Sequence, residues 1–88
     1  MKTPRQLERY FKGASNHRRI AILLLLSRKN NMTLDQIAKE LQVNFTTTSE
    51  HTRRLVVAGL LNKTYRGREV LHSLSPYGKA FVQFAKTF

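Results

Sequence analysis

The sequence predicts a mostly α-helical fold with one small β-hairpin, and three observations support this. Helix-capping residues precede several stretches whose apolar side chains recur at helical spacing. A tight turn at residues 42–44 joins two of these helices within residues 33–59. Two strand-like runs then flank Gly67 before a last helix. The predicted order, α-α-(β)-α-α-β-β-α, is that of a winged helix-turn-helix.

The length of the chain, 88 residues, is sufficient for one domain with its own small core. The absence of Cys excludes a disulfide framework, thiolate zinc sites and thiol catalysis. The longest apolar run, residues 20–26, is far shorter than the ~18 residues of a membrane span, and no signal peptide is visible. We therefore expect a single domain over residues 1–88, with no membrane partner, in the cytoplasm and associated with the nucleoid.

The charge of the chain is strongly positive. Sixteen Lys and Arg residues against five acidic residues give a formal net charge of +11. Such a field favours nucleic acid as a partner, although a solvated cationic surface or attraction to acidic lipids would also produce it. Five scattered carboxylates, without Cys or a Gly-rich phosphate loop, form no catalytic constellation. We therefore do not expect an enzyme.

The first helix is predicted at residues 3–12. Thr3 can cap it, Pro4 has no N–H to lose at the first position, and Gln6 can reach back to complete a capping box. Gly13 is the expected stop.

The second helix is predicted to begin at Ser15 or Asn16 and to continue to about residue 29. Residues 20–26 are apolar on every side of this helix. This pattern indicates burial, so we expect the second helix to be the central core helix. Met32 can add a short strand after it.

Residues 33–59 form the predicted helix-turn-helix. Thr33 and Gln36 repeat the capping-box spacing at the start of its first helix. Gln42 lies in the turn, where Gly is frequent, so mild backbone strain is expected if its φ is positive. Gly59 ends the second helix of the motif, which we place at residues 45–58.

The second helix of the motif has an inner and an outer face. Thr48, Thr52 and Leu55 share the inner face and are assigned to the core. The guanidinium group of an Arg on the outer face can donate two hydrogen bonds to guanine. The Glu50 carboxylate can accept a hydrogen bond from cytosine or orient a neighbouring Arg. An ordinary polar helix face is the alternative. The predicted DNA-contacting residues of this helix and its cap are Asn44, Phe45, Thr46, Thr47, Ser49, Glu50 and Arg53.

A cationic hairpin follows, with strands at residues 60–65 and 69–74. Its tip is predicted to contact the DNA backbone or an adjacent minor groove, although a soluble turn is the alternative. The predicted wing residues are Lys63, Arg66, Gly67 and Arg68, and the predicted backbone contacts at the start of the second helix are Arg18 and Arg19.

The last helix, predicted at residues 76–87, carries four aromatic residues on one seam, and the first helix carries an apolar face of its own. Together they predict a dimer interface formed by helices 3–12 and 76–87, because so small a core cannot readily hide both faces. A cover for the subunit's own core, or a surface for single-stranded bases, are the alternatives. The predicted interface residues are Leu7, Tyr10, Phe11, Tyr77, Phe81, Phe84 and Phe88.

The three histidines are the remaining candidates for metal ligands. None of His17, His51 and His72 lies at i, i+4 from another, so we predict structural roles, no metal site and no cofactor. His51 is expected to form a hydrogen bond within the helix-turn-helix.

Three segments resemble the ArsR-like family of winged-helix transcriptional regulators. The segment KGASNHRRIAILLLL resembles the second helix of the family, and IAKELQVNFTTTSEHTRRLVVAGLL resembles its helix-turn-helix. The segment LHSLSPYGKAF resembles the family's second wing strand and the closing helix that follows it. The most specific matches are Ser49, His51, Leu55, Ala58, Gly59 and Leu60. The resemblance implies a dimer built from the first and last helices, with the second helix of the motif reading DNA.

The chain departs from that family at two features. Thr48 and Thr52 occupy core positions of the recognition helix where the family has aliphatic residues, and the Cys-based metal motif is absent. We therefore do not extend the metal or arsenic sensing of that family to this chain. The predicted function is a homodimeric, sequence-specific regulator that binds double-stranded DNA. The alternatives are a winged-helix module for an unidentified protein partner and a nonspecific, chromatin-like DNA-packaging protein.

Overall fold

Five helices and one antiparallel hairpin follow each other in the order predicted for a winged helix-turn-helix, which confirms the predicted fold. The structure is a computed structural model that describes all 88 residues. Its elements are α1 (Pro4–Ala14), α2 (His17–Arg28), α3 (Leu34–Leu41), α4 (Phe45–Val57), β1 (Leu61–Arg66), β2 (Glu69–Leu74) and α5 (Pro76–Ala85).

The predicted helix caps are present. At the start of α1, the Gln6 side chain accepts from the Thr3 backbone N–H at 2.9 Å, and the Thr3 hydroxyl accepts from the Gln6 N–H at 3.2 Å. Thr33 and Gln36 repeat both bonds at α3. Asn16, rather than Ser15, caps α2. These reciprocal bonds satisfy N–H groups that have no partner inside a helix.

Helix α2 is the centre of the core, as its apolar run predicts. Ile22, Leu23, Leu25 and Leu26 are at most 2% exposed. The helix packs against every other helix and against β2. Burial on all sides explains why α2 has no polar face over this stretch.

Helix α1 does not stop at Gly13, contrary to the prediction. The helix continues through Ala14, and Ser15 is its carboxyl-terminal cap. A Cβ at position 13 would overlap the Cβ of Ala58, which follows α4. Gly13 is therefore required by the close approach of α1 to α4, because a larger side chain would push the two helices apart.

The turn between α3 and α4 has the strained backbone that the sequence predicts. Gln42 adopts the left-handed conformation with φ 55° and ψ 44°. The N–H of Val43 donates to the carbonyl of Ala38 at 3.1 Å, and the Val43 side chain is half-buried between the helices. Asn44 then caps α4. A non-glycine residue in this conformation is uncommon, so the turn stores some strain.

The wing is a two-stranded hairpin whose ladder runs from Leu61 opposite Leu74 to Arg66 opposite Glu69. Gly67, with φ 61°, and Arg68 form the loop, as expected where a tight hairpin needs positive φ at its first central position. Arg66 is therefore the last residue of β1, and not part of the tip as predicted. The short strand predicted at Met32 is a single bridge to His72.

Helix α5 ends at Ala85, two residues before the predicted end at 87, so Phe88 lies beyond it. Its first turn is fixed to the segment before the wing. The Ser75 hydroxyl donates to the Gly59 carbonyl at 2.6 Å and accepts from the Gly78 N–H at 3.0 Å. A Cβ at Gly78 would overlap the Leu60 carbonyl oxygen. None of the helices has the length and apolarity needed to cross a membrane.

Candidate nucleic-acid interface

Helix α4 presents its predicted outer face to solvent. Phe45, Thr46, Glu50 and Arg53 are exposed, and Phe45 is 51% exposed despite its size. The other two helical positions of the predicted set, Thr47 and Ser49, are half-buried at the edges of this face.

The inner face of α4 confirms the prediction for its two threonines. Thr48 is 2% exposed and Thr52 is 1% exposed, beside the fully buried Leu55. The Thr48 hydroxyl donates to the Asn44 carbonyl at 2.9 Å. The Thr52 hydroxyl has no hydrogen-bond partner, and an unpaired buried hydroxyl destabilises a fold.

Asn44 has a capping role that limits what it can contact. Its side-chain oxygen accepts from the backbone N–H of Thr47 at 2.8 Å. The amide N–H₂ group of Asn44 and the second lone pair of its oxygen are therefore what remain available to a ligand while the cap is intact.

Glu50 and the two arginines that follow form one cluster on α4. One carboxylate oxygen, Oε1, accepts from Arg53 Nη2 at 2.8 Å and from Arg54 Nε at 3.1 Å. The hydrogen bond from Arg53, followed by that from Arg54, lowers the pKa of the Glu50 carboxyl group. Glu50 therefore stays ionised and orients Arg53. Arg54 was missed in the sequence, although its i, i+4 spacing from Glu50 was visible there.

Arg19 joins α2 to α4 through a partner that the sequence did not predict. Its Nη1 lies 3.2 Å from His51 Nδ1, and its Nη2 donates to the Ser15 carbonyl at 3.4 Å. Burial, then the charges of Arg19, Arg18 and Arg54, lower the pKa of His51. The prediction that His51 bonds within the helix-turn-helix was wrong, because Arg19 belongs to α2. Arg18 is exposed, whereas Arg19 is half-buried.

The cations of the wing are exposed. Lys63 lies opposite His72 in the ladder and extends into solvent, and Arg68 is exposed in the loop. Arg66 Nη2 lies 3.5 Å from Glu69 Oε1 in a pair open to water. Such a pair contributes little to stability and can exchange its carboxylate for a phosphate.

The seven residues predicted to form the interface, called the seam below, lie on α1, on α5 or just after α5. Tyr10 and Tyr77 have ring centroids 4.9 Å apart, and Phe84 lies edge-on to Phe11 at 6.5 Å and to Phe88 at 5.3 Å. Five members of the seam remain exposed, whereas two are half-buried against the core. The exposed members are Leu7, Phe11, Tyr77, Phe84 and Phe88, and the half-buried ones are Tyr10 and Phe81.

An almost wholly apolar hollow of about 380 Å³ opens on the same surface, between α1 and α5. The Nζ of Lys2 lies over it, 4.7 Å from the ring centre of Tyr77 and 5.3 Å from that of Tyr10. An exposed hollow lined in this way marks a surface whose free energy falls when another apolar surface covers it.

The histidines occupy separate places in the fold. His72 is 2% exposed, and its Nδ1 lies 3.1 Å from the Met32 carbonyl oxygen. His51 faces Arg19, and His17 is exposed at the start of α2. No three His, Cys, Asp or Glu side chains come together in a group that could hold a metal ion.

The fold and this surface define a winged helix-turn-helix of the DNA-binding type. A family model described as bacterial regulatory protein, arsR family, matches residues 16–63. The chain belongs to this family of bacterial regulatory proteins. No curated protein sequence matches the chain significantly.

Solved structures of similar fold match most of the chain. The chain is similar to a homodimeric winged helix-turn-helix DNA-binding domain from Mycobacterium bovis, fragment 1–100 of Mb0332, a possible ArsR-family transcriptional regulator. The TM-score is 0.84 at 22% identity over 99% of this chain and 86% of that one. It is also similar to HlyU from Vibrio cholerae, with a TM-score of 0.83 at 24% identity over 93% and 89% of the two chains. At 22% and 24% sequence identity, these similarities establish that the fold is shared and nothing more.

Proposed function

We propose that the protein is a transcriptional regulator that binds double-stranded DNA sequence-specifically, as a homodimer, in the bacterial nucleoid. The observation that carries this proposal is the outer face of α4. Arg53 is exposed there and donates to Glu50, on a helix whose opposite face is buried in the core. The buried face fixes the helix in the fold, so the side chains of the outer face are presented together to a DNA groove.

The dimensions of α4 suit a major groove. The helix has 13 residues, which gives a length of ~20 Å at 1.5 Å per residue, and a groove ~12 Å wide accommodates it. The guanidinium of Arg53 can donate two parallel hydrogen bonds to guanine, and the ring of Phe45 can contact a thymine methyl group. The hydroxyls of Thr46, Thr47 and Ser49 suit either bases or phosphates.

The wing and the start of α2 would contact the backbone. Arg66 and Arg68 are exposed at the end of the hairpin, where guanidinium groups can follow a phosphate strand or enter a narrow minor groove. Lys63 and Arg18 are exposed cations that suit phosphates. Arg19 is a weaker candidate, because its guanidinium is engaged with His51 and Ser15.

The seam on α1 and α5 supports the homodimer. Its exposed aromatic side chains and the apolar hollow beside them form a continuous surface on one side of the molecule. The Mycobacterium bovis domain of similar fold is itself described as homodimeric. A two-fold axis through this surface would place the two α4 helices about 34 Å apart, one turn of the duplex, and would favour a pseudo-palindromic site.

A salt titration tests the DNA-binding part of this proposal. If each dimer neutralises ~8 phosphates, a plot of log affinity against log salt has a slope of about −7. Fluorescence anisotropy with a labelled duplex measures that slope. A response that does not change with salt, or no binding at all, rejects the proposal and favours a module that binds an acidic protein.

A further inference from the structure

A cationic cleft lies between α1 and the carboxyl-terminal half of α4, and its lining residues belong neither to the wing nor to the seam, although Arg9 also lies over the ring of Tyr10 in the seam at 5.7 Å. It is lined by Arg9, Lys12, Gly13, Arg19, Arg53, Arg54, Val57 and Ala58. Only Arg53 and Arg19 among its cations were predicted to contact DNA. The other three come from two helices that are distant in sequence and are brought together by the fold.

The cleft exists because α1 approaches α4 closely. A Cβ at Gly13 would overlap the Ala58 side chain, so the glycine allows the two helices to meet there. Leu7 and Phe11, one helical turn apart, share the seam side of α1. Arg9 and Lys12 lie on another side of the same helix and line the cleft beside α4. Helix α1 therefore presents an apolar side to the seam and a basic side to the cleft.

The charge balance of the cleft is positive. Lys12 pairs with Glu8 at 3.4 Å, and both side chains are more than half exposed. Glu50 is the acceptor for both Arg53 and Arg54. Five cations line the cleft, and these two paired carboxylates offset two of them, so an excess of three positive charges remains. Pairs open to water are weak, and the charged groups can exchange partners with little loss.

The position of the cleft indicates what binds there. Arg53 belongs both to the cleft and to the face of α4 proposed to read bases. A helix lying in a major groove is bordered by phosphates of both strands, and elements beside the helix meet those phosphates. Helix α1 is such an element, because it flanks the carboxyl-terminal half of α4. Exposed Arg and Lys side chains are the usual donors to backbone phosphates.

We propose that the cleft between α1 and α4 binds backbone phosphates of the same duplex whose groove receives α4. Arg9, Lys12 and Arg54 are the donors that the cleft adds to those of the recognition face and the wing. This inference rests on the proposed function, since it assigns a further part of the DNA contact. It gives α1 two roles, one in pairing protomers and one in holding the duplex.

The test compares two double variants of the full chain that remove the same charge. The cleft variant is Arg9→Ala with Lys12→Ala, and the control is Lys79→Ala with Lys86→Ala, at two exposed cations on and after α5 that lie beside the end of α2 and not in the cleft. The salt dependence of binding is measured by anisotropy for both variants and the wild type. Each lost phosphate contact flattens the slope by about 0.9, so the loss of two contacts in each protomer, four in the dimer, should flatten the measured slope of the cleft variant by about 3.6.

The control variant should retain the wild-type slope to within about 0.5, half of one contact, and both variants should keep the wild-type base preference. Circular dichroism confirms that each variant is folded, which is expected because Ala favours helix at exposed positions. Equal slopes for the cleft variant and the control overturn the cleft while leaving the proposed function standing. A wild type with no salt-dependent binding overturns both.

Discussion

Replacement of Phe84 by Glu should convert the proposed dimer to monomers. Phe84 lies on α5 at the centre of the seam, between the rings of Phe11 and Phe88. It is 50% exposed, so half of its surface is free to contact a second protomer. Phe81 is a poorer probe, because it is half-buried and packs against the subunit's own core.

The expected effect follows from the exposed area of this side chain. A Phe side chain buries ~200 Å² when fully covered, so the exposed half of Phe84 corresponds to ~100 Å². At ~25 cal/mol per Å², its coverage contributes about 2.5 kcal/mol, and the two-fold symmetry doubles this to about 5 kcal/mol per dimer. The dimer dissociation constant should therefore rise by about 10³-fold to 10⁴-fold, and more if the carboxylates are buried.

Sedimentation equilibrium over a range of concentrations measures the effect. The matched control is Tyr65→Glu, which introduces the same charge at an aromatic residue that is 72% exposed on β1 of the wing. The control should remain dimeric. The reasoning is refuted if Phe84→Glu keeps the mass of the dimer while folded, or if the wild type is a monomer.

Other predictions concern base reading, core stability and pH. Arg53→Ala should cost about 1 to 3 kcal/mol on the preferred site and relax its sequence preference, whereas Arg66→Ala should weaken all duplexes alike in anisotropy titrations. Thr52→Val should raise the free energy of unfolding by about 1 kcal/mol in urea titrations, because it removes a buried hydroxyl without a partner. Burial lowers the pKa of His72, so the folded state binds its proton less readily than the unfolded chain does. The contribution of His72 to stability is therefore fully present above pH 6.5, the ordinary pKa of His, and stability should fall in urea titrations as the pH is lowered through that value. His51, whose pKa is also lowered, acts in the same direction.

Each of these predictions has an outcome that contradicts it. Equal losses on every duplex for Arg53→Ala would show that Arg53 does not read a base. Thr48→Val is the control for Thr52→Val. The Thr48 hydroxyl donates to the Asn44 carbonyl, so its removal should not raise the free energy of unfolding. A loss of stability in Thr52→Val, or an equal gain in both variants, would show that the Thr52 hydroxyl does not destabilise the fold by lacking a partner. Constant stability between pH 7.5 and pH 5 would refute the account of His72.

Features set by local interactions were predictable from the sequence. The capping boxes at Thr3 and Thr33 involve residues three apart, so their spacing alone indicates them. The left-handed turn at Gln42 and the hairpin at Gly67 also depend on short-range backbone geometry. The continuous apolar run in α2 predicted its central place, because a helix apolar on every side has to be buried.

Features that depend on packing between distant helices could not be predicted. Gly13 has the appearance of a helix stop, yet its role is set by Ala58, which is far away in sequence. The partner of His51 is Arg19 from a different helix, for the same reason. The cationic cleft combines Arg9 with Arg54 only once α1 lies against α4. The orphan hydroxyl of Thr52 likewise appears only when the surrounding core is in place.

Selection from a random pool of duplex DNA by the purified protein shows whether this chain recognises a particular DNA sequence. We expect enrichment of a pseudo-palindromic consensus with half-site centres about one helical turn apart. The base preference should weaken with Arg53→Ala and persist with Arg66→Ala. Binding of the pool without any consensus would contradict sequence-specific recognition and would indicate nonspecific packaging of DNA.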